Sequence, residues 1–337
     1  MNSQGPLLTQ RQTDWLANQL QERLGESLLN LGAVSGDGST RRFVRAFTRS
    51  QSVIVLIDSD WRQSQDYWPL QDYLKRHNTR VPEFIAQSPQ DGLLIMEDLG
   101  DTALQAAILQ SPQKRSHYLT RAIETLAAVH GGTYPVPLSI PAAHRTFDEK
   151  KLLDELQYFE THFLQGLLKL PPSNHSTIEA FKTLVGVIAR VRPLVFTHRD
   201  YHTRNIMLHH DELVLIDFQD ARLGSPHYDL ASMIYDPYIA LAKTERDALS
   251  SHYGAAIARY ALSKEIHWKT FESDTHHIAL QRLIKAVGSF AAFAQVQGKE
   301  AYLKYIHPAL SMASELPHGN LPIGHWLETF EKAKLTE

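Results

Sequence analysis

The chain has 337 residues, 43% of them hydrophobic and 21% charged, which fits one large or two ordinary soluble domains. A net charge of −3 without any basic tract gives no reason to expect a nucleic-acid partner. Cysteine is absent, so disulfides, thiolate metal sites and a cysteine nucleophile are excluded. The start, M-N-S-Q-G-P-L-L-T-Q-R-Q, lacks the basic residues and apolar core of a signal peptide. No apolar run approaches membrane-spanning length, so the expectation is a cytoplasmic protein with no membrane partner.

In chain order, Leu16, Leu20, Leu24 and Leu28 recur every four residues and predict a helix over 9–30. Two strand-like runs then flank Gly36-Asp37-Gly38, and Ser52–Ile57 (S-V-I-V-L-I) reads as a third strand. The Gly-rich turn either lays backbone N–H groups over phosphates or is a hairpin turn that needs positive φ. Gly36, Gly38 and Ser39 are nucleotide candidates on the first reading. The third strand carries no Lys and runs into Asp58. Arg41, Arg42 and Arg45 on the preceding strand are the nearest cations, with Arg42 on the opposite face from the other two. One of them, with Arg42 as the candidate, supplies a phosphate-binding charge, or all three are solvated surface residues.

A helix is expected between Tyr67 and His77, interrupted near Pro69. The run L-L-I-M-E-D-L-G-D is apolar up to Met96 and then acidic, like a buried strand entering a connector. Glu97, Asp98 and Leu99 would be placed to bond an adenine edge there, or the strand simply ends in a loop. From Ser111 the pattern turns helical, with helices at 116–130, 147–169, 176–191, 241–261, 275–296 and 299–314. Strands first and helices afterwards imply an α+β protein of two unequal lobes, 1–99 and 100–337.

The chemistry concentrates between Phe196 and Tyr228. Asp200, Asn205 and Asp217 are the polar landmarks of a strand–turn–strand pattern, with Ile206-Met207-Leu208 and Leu213-Val214-Leu215-Ile216 as the strands. In phosphoryl transfer one Asp takes the proton of the attacking hydroxyl, while an Asn and a second Asp hold Mg²⁺ on the phosphates of ATP. Mg²⁺ is a hard cation that takes oxygen ligands, which suits Asn205 and Asp217. His198-Arg199-Asp200 and Asn205 match the kinase signature H-R-D-x-x-x-x-N, and Asp217-Phe218 match the start of D-F-G, with Gln219 in place of Gly. Asp200 is therefore the catalytic candidate and His198 a support of its loop. Asp220 either reaches the metal site or accepts backbone bonds that hold the loop. Asp229 is expected to cap a helix. Eighteen histidines include the adjacent pairs His209-His210 and His276-His277, whose side chains diverge, and no H-E-x-x-H is present.

With these residues in place the sequence resembles the aminoglycoside phosphotransferase/choline kinase family. H-R-D-Y-H-T-R-N and L-I-D-F-Q-D-A-R-L-G-S-P-H-Y-D-L-A-S carry the resemblance, and the A-P-E segment of protein kinases is missing. G-D-G-S-T-R-R-F-V-R, V-L-I-D, M-E-D-L-G and D-F-Q-D-A look most like the bacterial kinases that phosphorylate N-acetylmuramate and N-acetylglucosamine at the C1 hydroxyl. The resemblance implies a protein-kinase-like two-lobed fold, ATP as co-substrate with Mg²⁺, and an amino-sugar acceptor in cell-wall recycling. By pathway it also implies a downstream nucleotidyltransferase. Aminoglycosides, choline and homoserine are alternative acceptors within the family, and a nucleotide-binding regulator is the alternative outside enzymes.

Overall fold

The computed structural model describes residues 7–34, 41–61 and 65–334. Gly36, Gly38 and Ser39 lie outside the described residues. The chain divides into two compact units, Met1–Thr102 with Met207–Gln219, and Ala103–Ile206 with Asp220–Glu337. The expected division after residue 99 left 207–219 with the helical part; in the structure that segment clusters with the first unit.

The first unit opens with α1 (Gln10–Leu24). Thr9 and Gln12 close a capping box at its start, and Gly25, at φ 68°, ends it in the left-handed region. That stop is why the helix is shorter than the leucine spacing predicts; Leu28 lies beyond it yet still packs on the same core. Strands β1 (Asn30–Val34), β2 (Arg42–Phe47), β3 (Ser52–Ile57), β4 (Phe84–Ser88) and β5 (Leu93–Glu97) form an antiparallel sheet in the order β1-β2-β3-β5-β4. Alternation turns Val44 and Ala46 of β2 and Val53 and Val55 of β3 toward Leu16 and Leu20 of α1, making this unit's core. Helix α2 (Tyr67–Arg76) follows β3, and Pro69 causes no interruption because it falls in the first turn, where no intrahelical N–H is lost.

The same unit contains the hairpin. Strands β7 (Ile206–His209) and β8 (Glu212–Leu215) turn through His210 and Asp211, both at positive φ, as a two-residue hairpin requires. Leu208 N donates to Thr102 O and Leu215 N to Arg80 O, each at 2.9 Å, fastening the hairpin to the segments around β5.

The second unit is mainly helical. It comprises α3 (Leu104–Gln110), α4 (Arg115–Gly132), α5 (Glu149–Phe159), α6 (His175–Ile188), α7 (Pro226–Ile234), α8 (Lys243–Ile257), α9 (Phe271–Gln297), α10 (Ile306–Ser314) and α11 (Ile323–Lys334). Helix α4 runs through Gly131-Gly132 rather than stopping before them, and α5 continues as a π-helix over Glu160–Leu167. The long α9 is the spine, packing on α5, α6, α7 and α10. Gly288 allows the α5 contact, since a Cβ there would lie 2.6 Å from Phe159 Cα. A short antiparallel ribbon, β6 (Val195–Thr197) with β9 (Arg222–Gly224), completes the unit and was not anticipated from the sequence. Among the described residues no helix is long and apolar enough to cross a membrane.

Candidate active site

In the second unit, the loop 198–205 leaves the buried strand β6 and is clamped at both ends by carboxylates. Asp229 accepts from His198 N at 2.6 Å and Arg199 N at 2.9 Å. Asp236 accepts from Thr203 N at 2.9 Å and Thr203 Oγ1 at 2.6 Å. Both carboxylates are fully buried, and burial pushes the Asp236 carboxyl up. Asp229 is thus not the helix cap expected of it. Ser225 caps α7, accepting from His227 N, and Asp229 sits inside the first turn with its oxygens on the loop. The clamp holds Arg199 at φ 85°, a conformation unfavourable for a side chain of this size.

His198 is buried and its Nδ1 accepts from Asp200 N at 3.3 Å. Tyr201 OH donates to Ala122 O at 2.7 Å and fixes the loop to α4. Asn205 Nδ2 donates to Asp200 O at 3.0 Å, which ties the amide to the loop; its oxygen is of the type that hard cations take. Asp220, half exposed, lies 3.8 Å from Arg199 Nη1. It belongs to the ion-pair network of the loop.

Helix α9 supplies what the sequence reading missed. Lys285 Nζ is 3.0 Å from Asp200 Oδ1, and Arg282 Nη2 is 3.9 Å from the same oxygen. Arg282 also donates to Arg199 O at 2.6 Å and lies over the Tyr228 ring. Glu155 of α5, buried, accepts from Gln281 at 3.0 Å and faces Arg199. Burial alone would raise the Asp200 carboxyl, but Lys285, Arg199 and Arg282 outweigh it and hold the group well below the usual carboxylate range. Burial also lowers the Lys285 ammonium, with Asp200 opposing. His202, two residues after Asp200, is driven down to about 3 by burial and is neutral near pH 7. The positive charge at Asp200 therefore comes from Arg199 and α9. Its signal in the sequence was Arg282 and Lys285 as the two charged residues of the mostly apolar run Leu280–Phe293.

The first unit carries the other candidates. Asp217 follows β8 at φ 64°, with 45% of its side chain exposed. Gln219 Nε2 donates to its Oδ1 at 2.9 Å, and Arg41 Nη1 stands 4.0 Å from the same atom. Phe218 is buried against Phe84 and Tyr67, anchoring the segment. Arg42, the sequence's cation candidate, is exposed and donates to Leu7 O at 2.8 Å. Arg41 is the arginine turned toward Asp217. Arg45 binds Asp98 at 2.7 Å and Asp101 at 2.8 Å. Glu97 N donates to Glu83 O at 2.8 Å and its carboxylate holds Arg80, while Leu99 O takes the His209 ring at 3.1 Å. Among the described residues no three His, Asp or Glu side chains form a metal cluster. The Asn205 amide oxygen and the Asp217 carboxylate are each of the donor type that a hard cation takes.

Comparison with known proteins agrees with this chemistry. A family model described as "Phosphotransferase enzyme family" matches residues 33–262. N-acetylmuramate/N-acetylglucosamine kinase of Pseudomonas aeruginosa is 24% identical over 293 residues, 84% of each chain, and that of Neisseria meningitidis is 27% identical over 299 residues, 85% of each. Among solved structures, choline kinase LicA from Streptococcus pneumoniae superposes with a TM-score of 0.62 at 14% identity, covering 90% of this chain and 98% of its own. A gentamicin-APH(2")-IIa complex gives 0.60 at 16%, covering 90% and 96%. The chain belongs to the phosphotransferase enzyme family and is a small-molecule kinase with the kinase-like two-lobed α+β fold.

Proposed function

We propose that the chain transfers the γ-phosphoryl group of ATP to the anomeric C1 hydroxyl of N-acetylmuramate or N-acetylglucosamine. The observation that carries the transfer chemistry is Asp200, kept ionised by three cations while 31% of its side chain remains exposed. The acceptor oxygen attacks phosphorus, the bond to the β-phosphate oxygen breaks, ADP departs, and Asp200 takes the hydroxyl proton. Because the carboxyl is weakly basic, its main contribution is to orient the hydroxyl, with proton transfer late in the reaction. Asn205 and Asp217 are the residues that would hold Mg²⁺, which when bound neutralises charge on the nucleotide phosphates. The Asp98-Leu99 backbone is the candidate for the adenine edge, and His198 and Asp220 act through the loop. The amino-sugar acceptor is supported by the names of the sequence relatives. The sugar 1-phosphate would then suit a nucleotidyltransferase, in the cytoplasm where ATP is supplied.

The test is ADP release from ATP and Mg²⁺ with N-acetylmuramate, N-acetylglucosamine, choline and kanamycin as separate acceptors, beside Asp200→Asn. Turnover on the acetylated sugars is expected, with the product phosphate at C1 by NMR. Asp200→Asn is expected to lose about 10²–10⁴-fold in kcat while still binding nucleotide. Turnover only on choline or kanamycin overturns the acceptor and keeps the mechanism. A fully active Asp200→Asn overturns the assignment of the base.

A further inference from the structure

We propose that Arg41, held by Asp58, is the cation that binds the nucleotide's α- and β-phosphates, replacing a lysine that β3 does not carry. The inference rests on the kinase reading above and adds the residue on which nucleotide affinity depends.

The geometry begins with strand register. Arg42 of β2 pairs with Ile57 of β3, so the next positions outward are Arg41 and Asp58. Arg41 Nε lies 3.3 Å from Asp58 Oδ2, and their side chains are 8% and 4% exposed. The guanidinium carbon also sits 5.5 Å from the centre of the Tyr67 ring at the start of α2. Asp58 is itself fixed: its N–H donates to Gly92 O at 2.9 Å, and its Oδ1 accepts from Asp60 N at 2.9 Å. A Cβ on Gly92 would lie 2.1 Å from the Asp58 carbonyl oxygen, so this turn admits only glycine.

A buried ion pair of this kind is a poor source of stability, because desolvation offsets most of the attraction. Its direction is more informative. The Nη1 end of Arg41 points to Asp217, at 4.0 Å, beyond hydrogen-bonding distance. The guanidinium is therefore anchored at Nε and extends toward the carboxylate that is the Mg²⁺ candidate. A phosphate oxygen shared between that metal and a fixed cation is the arrangement expected of a nucleoside triphosphate site. The planar fork of Arg suits phosphate oxygens, and it stays charged even when buried. The other two arginines are turned away from Asp217. Arg42 bonds a main-chain oxygen on the exposed side, and Arg45 is neutralised by two carboxylates.

The experiment is calorimetric titration of ATP, ADP and adenosine into the full chain and into Arg41→Ala, Arg41→Lys and Asp58→Asn, with thermal melts of each. Loss of one charged phosphate contact predicts about 10–100-fold weaker ATP and ADP binding in Arg41→Ala, with adenosine unchanged. Arg41→Lys keeps the charge and should retain most of the affinity; Asp58→Asn leaves the guanidinium unanchored and should fall between. Free guanidinium should partly restore ATP binding to Arg41→Ala. Equal weakening for adenosine and ATP, or no weakening, overturns the proposal and marks a structural pair. Should Arg41→Ala fail to fold, the phosphate-dependent ratio in Arg41→Lys and Asp58→Asn decides it. A wild-type chain that does not bind ATP would sink the kinase reading beneath it, an outcome distinct from wild-type binding that the variants share.

Discussion

Two aspartates carry the proposed chemistry, and their surroundings differ in kind. Asp200 is faced by Lys285, Arg282 and Arg199, all within 4 Å, in a loop held by buried carboxylates. Asp217 has the Arg41 guanidinium at 4.0 Å and accepts from the Gln219 amide at 2.9 Å, and 45% of its side chain is exposed. An excess of fixed positive charge at Asp200 suits a residue that must stay ionised beside a polyanionic phosphoryl group. A partly exposed carboxylate at Asp217 is of the donor type that a hard cation takes, which suits the metal role proposed for it. The difference separates orienting a hydroxyl from recruiting a metal, and it can be attacked from either side.

The largest effect is expected at the support of Asp200. Asp229→Ala strands the N–H groups of His198 and Arg199, and a buried donor left unpaired costs about 1–3 kcal/mol. A loss of about 2–4 kcal/mol in urea unfolding is expected, with kcat falling because Arg199 is no longer held at positive φ. Unchanged stability would show that the loop is fixed by other contacts.

Lys285→Ala should act less on stability and more on titration. Removing the cation at 3.0 Å takes away the largest of the charges that oppose burial, so the Asp200 carboxyl rises. The proposed base must be ionised, so the acid limb of kcat/KM should move to higher pH. The wild-type limb from this group lies below the ordinary carboxylate range. A profile that falls in height without moving would mean that Lys285 contacts the transferred phosphoryl group rather than tuning Asp200.

How much of this was legible follows from sequence distance. Asp200, Asn205 and Asp217 stand within eighteen residues of sequence around one strand–turn–strand segment, and their offsets alone match the pattern of phosphoryl-transfer residues. The hairpin was readable for the same reason, as were the strands around Arg41 and most helices. The brackets of the loop were not. Asp229 and Asp236 reach back 30 residues or more, and Lys285 reaches Asp200 across 85. Such pairs are created by helix packing, which a periodic pattern predicts as a face and never as a partner. Arg41–Asp58 is the intermediate case: antiparallel register makes the two residues neighbours, but only side-chain direction separates Arg41 from Arg42.

The smallest expected effect tests that last distinction. Arg42 carries the same charge as Arg41, one residue away, and long-range electrostatics alone would let either assist an anion. Exposed charges are screened over about 10 Å at ordinary ionic strength, whereas a desolvated guanidinium keeps its full interaction. Arg42→Ala should therefore leave the KM for ATP within about twofold at 0.15 M salt, the scale of a solvated surface charge. A tenfold rise in KM would show that diffuse positive charge from this strand serves the nucleotide. The contrast between a fixed cation at Arg41 and a solvated one at Arg42 would then collapse.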